Sequence, residues 1–388
     1  IVVVIGGQGV DTIVTAGAAD IQGTAIILGD AGRIQTNTEA GSSDIHVLAV
    51  ETLFPEVGAG DFITTSAGSD IIIGGLGIDT INAGNGDNII AGDGASIKGA
   101  DAFPTNGQKR PMTLTSITPV GAGSGDGDLI TTGLGRDIVL GGTGADVITT
   151  NVGETAGTYD AADIVIGDYA ELEFEIFEGN EIPVRITSVA ELDGGDDVII
   201  TGAGADIVLG GTGADTITAG ADNDLIFGDH AEIIGNIRVQ DLAIGDGRIF
   251  DFKSISTTAA DLGGNDTIFG GAGDDTILGQ TGNDVIQGNA GDDDIIGGHN
   301  VDFDQNGGLA YDGDDRIDAG AGDDVVLGDN GTIYRTFDLN DPRMAALEGT
   351  LIYGVTPGVD DGLALILSLI HISEPTRRTI PSRMPSSA

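Results

Sequence analysis

Residues 192–227 read LDGGDDVII, TGAGADIVL, GGTGADTIT, AGADNDLIF, four nonapeptides laid end to end. Their sixth positions are Asp197, Asp206, Asp215 and Asp224, and their eighth are Ile199, Val208, Ile217 and Ile226. A strict nine-residue period with an acid and a β-branched residue at fixed offsets is the signature of a solenoid. The last three residues of each unit, such as Thr216-Ile217-Thr218, predict a very short strand alternating outward, inward, outward. The first six are Gly, Ala, Asp, Asn and Thr, which permit tight turns with positive φ. Each unit therefore reads as turn plus strand, and two units make one coil with strands on opposite walls.

With the acid placed at position six, the period extends to twenty units. Beyond those four, the acids fall at Asp11, Asp20, Asp61, Asp70, Asp79, Asn88, Asp128, Asp137, Asp146, Asp163, Asp266, Asp275, Asp284, Asp293, Asp315 and Asp324. Asn88 is the one departure in this column, and Gln22 the one departure from Ile or Val two residues on. The units GGQGVDTIV (6–14), GGTGADVIT (141–149), GGTGADTIT (210–218) and GGAGDDTIL (270–278) are the best matches to a common pattern. That pattern resembles the GGxGxDxUx repeat of RTX (hemolysin-type) calcium-binding proteins secreted by bacteria. The resemblance implies an all-β fold of parallel β-roll (β-solenoid) cassettes. It also implies Ca2+ held by the motif Asp and backbone carbonyls of the neighbouring turn, with export through a type I channel and folding outside. The metal-ligating candidates are Asp11, Asp61, Asp70, Asp79, Asp128, Asp137, Asp146, Asp163, Asp197, Asp206, Asp215, Asp224, Asp266, Asp275, Asp284, Asp293, Asp315 and Asp324.

Elementary energetics points the same way. Burying one Ile or Val contributes roughly 1.5–3 kcal/mol, whereas ordering each backbone residue costs about 1–2 kcal/mol. One aliphatic side chain cannot offset nine ordered residues, so something else must favour the coil. Acids eighteen residues apart, such as Asp197 and Asp215, fall on the same side of the coil, one strand spacing of about 4.7–4.9 Å apart. Calcium, with six to eight oxygens at about 2.3–2.6 Å, can reach both turns, whereas magnesium at about 2.0–2.1 Å in strict octahedral geometry matches the gap poorly.

Composition agrees. The 388 residues carry 67 Gly, no Cys and a net charge of −47. Only Arg136 and Arg316 lie inside the nonapeptides, so the carboxylates lack basic counterions and must repel one another without metal. Nucleic acid is excluded as a partner by this sign of charge. The absence of Cys fits an extracellular protein stabilised by metal rather than disulfides. No signal peptide or transmembrane span is legible, and Ile1 reads as the start of a fragment that begins inside the array.

The units group into cassettes. Cassettes are expected at 1–34, 58–97, 121–171, 192–232 and 260–300, with an acidic loop and a sixth cassette at 301–333. Inserts are expected at 35–57, 98–120, 172–191, 233–259 and 334–366, projecting from or capping the coil. LEFEIFEGNEIPVRITSV (172–189) reads as a β-hairpin, and any cell-surface or polysaccharide ligand would be met by the inserts. Five cassettes end on a Gly-Asp tail, at Asp30, Asp93, Asp168, Asp229 and Asp329. An Asx-type turn leading out of the coil is expected there, with an extra ligand, as at Asp229 or Asp329, the second reading. Asp302, Asp304 and Asn306 open like an EF-hand loop, but Gly313 stands where the bidentate Glu belongs. Residues 367–388, from LSLIHISEPTR to SRMPSSA, resemble a translated sequencing adapter.

No catalytic constellation is present. His46, His230, His299 and His371 are scattered with no Cys beside them, and the paired carboxylates recur in a row rather than in one cleft. The chain is expected to be no enzyme. It reads as a calcium-binding structural region of a large secreted or cell-surface bacterial protein of adhesin or matrix type. The alternative is the repeat region of an RTX exoenzyme or toxin whose active domain lies elsewhere. A third reading is a flat polysaccharide- or ice-binding face built from outward Thr131, Thr132, Thr149, Thr150, Thr216 and Thr218.

Overall fold

Each nonapeptide closes on a strand of three to six residues, because its β-branched triplet is flanked by glycines that resist continuation. The computed structural model describes residues 1–15, 23–38, 45–101, 112–155, 160–177, 180–236, 251–301, 312–331 and 333, with short strands at 351–352, 370–372 and 379–381. Among these residues every regular element is a strand, and no helix is long and apolar enough to cross a membrane.

Successive units alternate between two sheets of 12 and 11 strands. Within each the pairing is parallel and in register, as in Ile71↔Ile89, Ile89↔Ile138 and Ile138↔Ile164 on one wall and Leu129↔Val147 and Val147↔Val198 on the other. The eighth-position residues of both walls, among them Ile72, Ile90, Ile130, Ile148 and Ile217, are buried in one narrow core, and Ile27, paired with Ile72, takes that place in the first cassette. At the far end both sheets finish on antiparallel strands, Ile370–Ile372 and Thr379–Pro381. The fold is an all-β roll.

The inserts do something the period does not disclose. Strands at Gly32–Thr38, Ile45–Thr52, Ala95–Gly99, Leu114–Pro119, Ala170–Phe177, Asn180–Ser188, Ala231–Asn236 and Asp251–Thr257 join, with Leu351–Ile352, into one 9-stranded sheet. Neighbouring hairpins pair antiparallel, for example Ile97↔Val50, Ile117↔Leu172 and Ile186↔Ile233. The inserts therefore neither project separately nor cap the coil; they tile its flank. The reason is metric. Each hairpin leaves the roll after every second strand of the 12-stranded sheet, following Leu28, Ala91, Ile166 and Phe227. Two strand spacings are about 9.5 Å, the width that one two-stranded hairpin fills. Edge meets edge without a gap.

This third sheet covers the outer face of the 12-stranded one. Val47, Val50, Ile97, Leu114, Ile117, Leu172, Ile186 and Ile233 form a second core with Ile73, Ile89, Leu140, Ile166, Leu209 and Phe227. Alternation of outward and inward residues holds only for the 11-stranded wall, where Thr80-Ile81-Asn82 has one buried residue. On the covered wall Ile71-Ile72-Ile73 is buried throughout. Such continuously apolar triplets mark a strand covered on both faces, a signal present at 71–73, 138–140, 164–166, 207–209 and 225–227. The outward Thr face is likewise corrected: Thr131, Thr149, Thr216 and Thr218 lie on the open wall, but Thr132 and Thr150 are buried at 1% and 0% exposure.

Candidate functional site

From Asp61 to Asp315 position six is the last residue before its strand, and Asp324 is the first of its own, so the side chain turns inward at the edge of the roll. The result is two ladders. On the edge leading into the 11-stranded sheet, the Asp61 amide donates to Asp79 Oδ1 at 2.6 Å, Asp79 to Asp128 at 2.7 Å, Asp128 to Asp146 at 2.6 Å and Asp146 to Asp197 at 2.7 Å. Asp197, Asp215, Asp266, Asp284 and Asp315 continue it. On the opposite edge the ladder runs through Asp70, Asn88, Asp137, Asp163, Asp206, Asp224, Asp275, Asp293 and Asp324. Asp11, half-buried, begins the first. All eighteen candidate aspartates thus lie on one of two rows. In the second row Ala25 takes the position paired with Asp70, with its amide donating to Asp70 Oδ1; Asp20 lies outside the described residues.

In every aspartate rung from Asp61 to Asp324 one carboxylate oxygen accepts an amide, and the other faces inward. Oδ2 of Asp61, Asp79, Asp128, Asp146, Asp197 and Asp215 is buried with no hydrogen-bond donor. Burial raises these carboxyls: Asp79, Asp146 and Asp215 to about 8, Asp128 to about 10 and Asp197 to about 11, with neighbouring carboxylates adding repulsion. A buried anion without a partner is costly, so the site asks for a proton or a cation.

The turns supply a cradle for the latter. A side-chain carbon at Gly74 would stand 2.4 Å from Asp79 Oδ2 and 2.3 Å from the Gly92 carbonyl oxygen of the next turn. At Gly141 the same two distances, to Asp146 Oδ2 and Gly167 O, are 2.4 and 2.2 Å; at Gly210, to Asp215 Oδ2 and Gly228 O, 2.4 and 2.1 Å. Only glycine leaves that space open. The carbonyls accept one backbone amide each, as Gly92 O does from Gly75 at 2.8 Å, and keep a second lone pair. Among the described residues no three acidic or histidine side chains converge. The donor set is therefore carboxylate and backbone oxygen, the chemistry of a hard cation such as calcium rather than of zinc. These residues fit the ion that the repeat implies.

Comparison with protein families matches the RTX calcium-binding nonapeptide repeat (4 copies) at residues 64–95, 122–154, 192–226, 258–285, 272–303 and 309–332. The chain carries RTX calcium-binding repeats. No curated protein sequence matches it. The matched RTX repeats take in most ladder positions, Asp11, Asp61 and Asp163 lying outside them, and calcium is the metal of such repeats.

The Gly-Asp tails have a separate task. Asp229 accepts the amides of Thr281 at 2.7 Å and Gly264 at 3.0 Å, so both its oxygens stitch the exit of an insert to the following turn. Asp93 likewise accepts Thr143 N at 2.6 Å and the Tyr169 hydroxyl at 2.8 Å. Asp168 is bonded to the Thr212 and Gly195 amides, and Asp329 is exposed at the end of the array. The expected turn is a strut between coils. His230 and His299 pack behind these struts, each beside a Thr hydroxyl (Thr212 and Thr281), and burial lowers His299 to about 4. Asp302, Asp304 and Asn306 lie outside the described residues. Position one, the glycine of the cradle, is legible as a column in the best-matching units, but nothing within one unit marks it as part of the site.

Proposed function

We propose that this chain is a calcium-folded structural region of a secreted or cell-surface bacterial protein of adhesin or matrix type. The observation that carries this is the buried Asp Oδ2 atoms without a donor, which at Gly74, Gly141 and Gly210 share a glycine cradle with the carbonyl of the next turn. The position-six aspartates are the proposed ligands. A bound calcium would supply the positive charge that lets adjacent turns close; the chain's own residues order the turns, exclude water and align the strands. Repulsion among the carboxylates keeps the chain open where calcium is scarce, which suits export before folding. The hairpin sheet, packed along the flank with its buried apolar residues against the covered wall, supports a structural role rather than a chemical one. No catalytic role is assigned to it.

The test is far-ultraviolet circular dichroism of the chain stripped of calcium and then titrated into the millimolar range. β structure should appear with calcium, and binding at a hundredfold excess over the dissociation constant stabilises by about 2.7 kcal/mol per site. Spectra that do not change with calcium would defeat the proposal.

A further inference from the structure

The two edges of the roll are not chemically alike. On one, position one is glycine in turn after turn: at Gly74, Gly92, Gly141, Gly167, Gly210 and Gly228 the Asp Oδ2 and the next turn's carbonyl oxygen converge so closely that a Cβ would stand 2.0–2.5 Å from each. On the other, position one carries a side chain over six successive turns: Thr65, Ala83, Thr132, Thr150, Thr201 and Ala219. All six are buried.

The threonines fill the place of that cradle with a hydroxyl. Thr65 Oγ1 donates to Ala83 O at 2.7 Å, Thr132 to Thr150 O at 3.3 Å, Thr150 to Thr201 O at 3.3 Å and Thr201 to Ala219 O at 2.9 Å. Each acceptor is the position-one carbonyl of the next turn, the counterpart of the atom that converges with Asp Oδ2 on the glycine edge. The same hydroxyls lie beside the carboxylates of their own units, Asp70, Asp137, Asp163 and Asp206, but donate to the carbonyls, so Oδ2 of these aspartates stays buried without a donor as on the glycine edge. Where the unit has Asn88 in place of Asp, its side-chain amide donates to Gly86 O at 2.9 Å and Gly84 O at 3.3 Å. That is a neutral donor satisfying turn carbonyls from inside the turn. Glycine returns to this edge at Gly270 and Gly288, where a Cβ would again meet Asp275 Oδ2 at 2.4 Å and Asp293 Oδ2 at 2.2 Å, before Ala319 takes position one of the last turn.

We infer that calcium loads this roll asymmetrically: along the glycine edge, but on the opposite edge only at the Gly270 and Gly288 turns, because over Thr65–Ala219 a buried position-one side chain stands in the cradle and each threonine hydroxyl takes the carbonyl of the next turn. This rests on the calcium-binding reading above. Its consequence is a wall whose covered, hairpin-bearing strands are registered without metal, while the edge feeding the open wall responds to calcium.

Matched isosteric variants test it. Asp146→Asn on the glycine edge and Asp137→Asn on the threonine edge each keep the oxygen that accepts the neighbouring amide, and Asn88 shows that the second row tolerates the change. Native mass spectrometry of the full chain in calcium counts bound ions. Asp146→Asn should lose one or two calcium ions per chain and Asp137→Asn none. If Asp137→Asn does not reach the wild-type circular-dichroism spectrum in calcium, Asp206→Asn is read in its place. Thr201→Val should lower the urea midpoint in calcium while the ion count holds. Equal losses of calcium at the two edges overturn the inference. A wild-type chain that takes up no calcium overturns the proposed function itself, and the asymmetry with it.

Discussion

Replacing Gly210 by Ala is the sharpest probe of the cradle. The added methyl would lie 2.1 Å from Gly228 O and 2.4 Å from Asp215 Oδ2, both inside the 3.0 Å that such carbons essentially never cross. The two oxygens must move apart by the better part of an ångström, in a turn whose neighbours are buried. Overpacking of this kind costs about 1–3 kcal/mol. The displaced oxygens are also the pair proposed to share an ion, so in calcium at a hundredfold excess a further ~2.7 kcal/mol of linkage is lost. The total is about 4–6 kcal/mol. The companion variant is Ala219→Gly, at the same position on the other edge, where no cradle is at stake and the cost is about 0.5–1 kcal/mol of backbone entropy. The assay is the urea midpoint in saturating calcium, together with the calcium concentration at which β structure appears. Gly210→Ala should lower the first and raise the second, and Ala219→Gly should leave the second in place. If Gly210→Ala folds at the wild-type calcium concentration and urea midpoint, the reasoning from glycine to cradle is wrong.

Three further outcomes are expected. Burial lifts Asp146, Asp215 and Asp284 to about 8 and Asp128 to about 10, so the folded, calcium-free chain keeps protons that the unfolded chain has released above about pH 4. Its stability is therefore greatest in acid and declines from about pH 4 to about pH 10, most of it by pH 8; circular dichroism of calcium-stripped protein should show more β structure at pH 4 than at pH 8, and the reverse order would contradict the buried carboxyls. Leu172→Ala empties a fully buried place between the hairpin sheet and the covered wall and should cost about 2–5 kcal/mol, read as a lower urea midpoint in calcium; a change under about 1 kcal/mol would mean the third sheet is not seated. Tyr169→Phe removes the donor to Asp93 and the partner of the Thr143 hydroxyl at 2.6 Å, for a loss of about 1–3 kcal/mol in thermal scans at fixed calcium, with no change in the number of ions bound.

Much of the molecule was legible before any coordinates. The nine-residue column of Asp197, Asp206, Asp215 and Asp224 announced the ladders, because a solenoid repeats its environment whenever it repeats its sequence. The same held for Ile199, Val208, Ile217 and Ile226 and the narrow core. What escaped was the difference between odd and even units. Ile71-Ile72-Ile73 and Thr80-Ile81-Asn82 fit one pattern at the eighth position, yet one lies under a second core and the other on an open face.

By itself, then, the sequence determined the coil, its acid rows and its metal, since each is set within one or two consecutive units by turn chemistry, side-chain period and charge. Only the tertiary structure decided that the inserts merge into a single sheet. That outcome depends on hairpins separated by some sixty residues leaving the same wall two strand spacings apart, a match of lengths that no local stretch contains. The inequality of the two edges was decided there too. A Thr or Gly at position one is readable anywhere, but its meaning rests on the carbonyl of the next turn, which an insert can place fifty residues away.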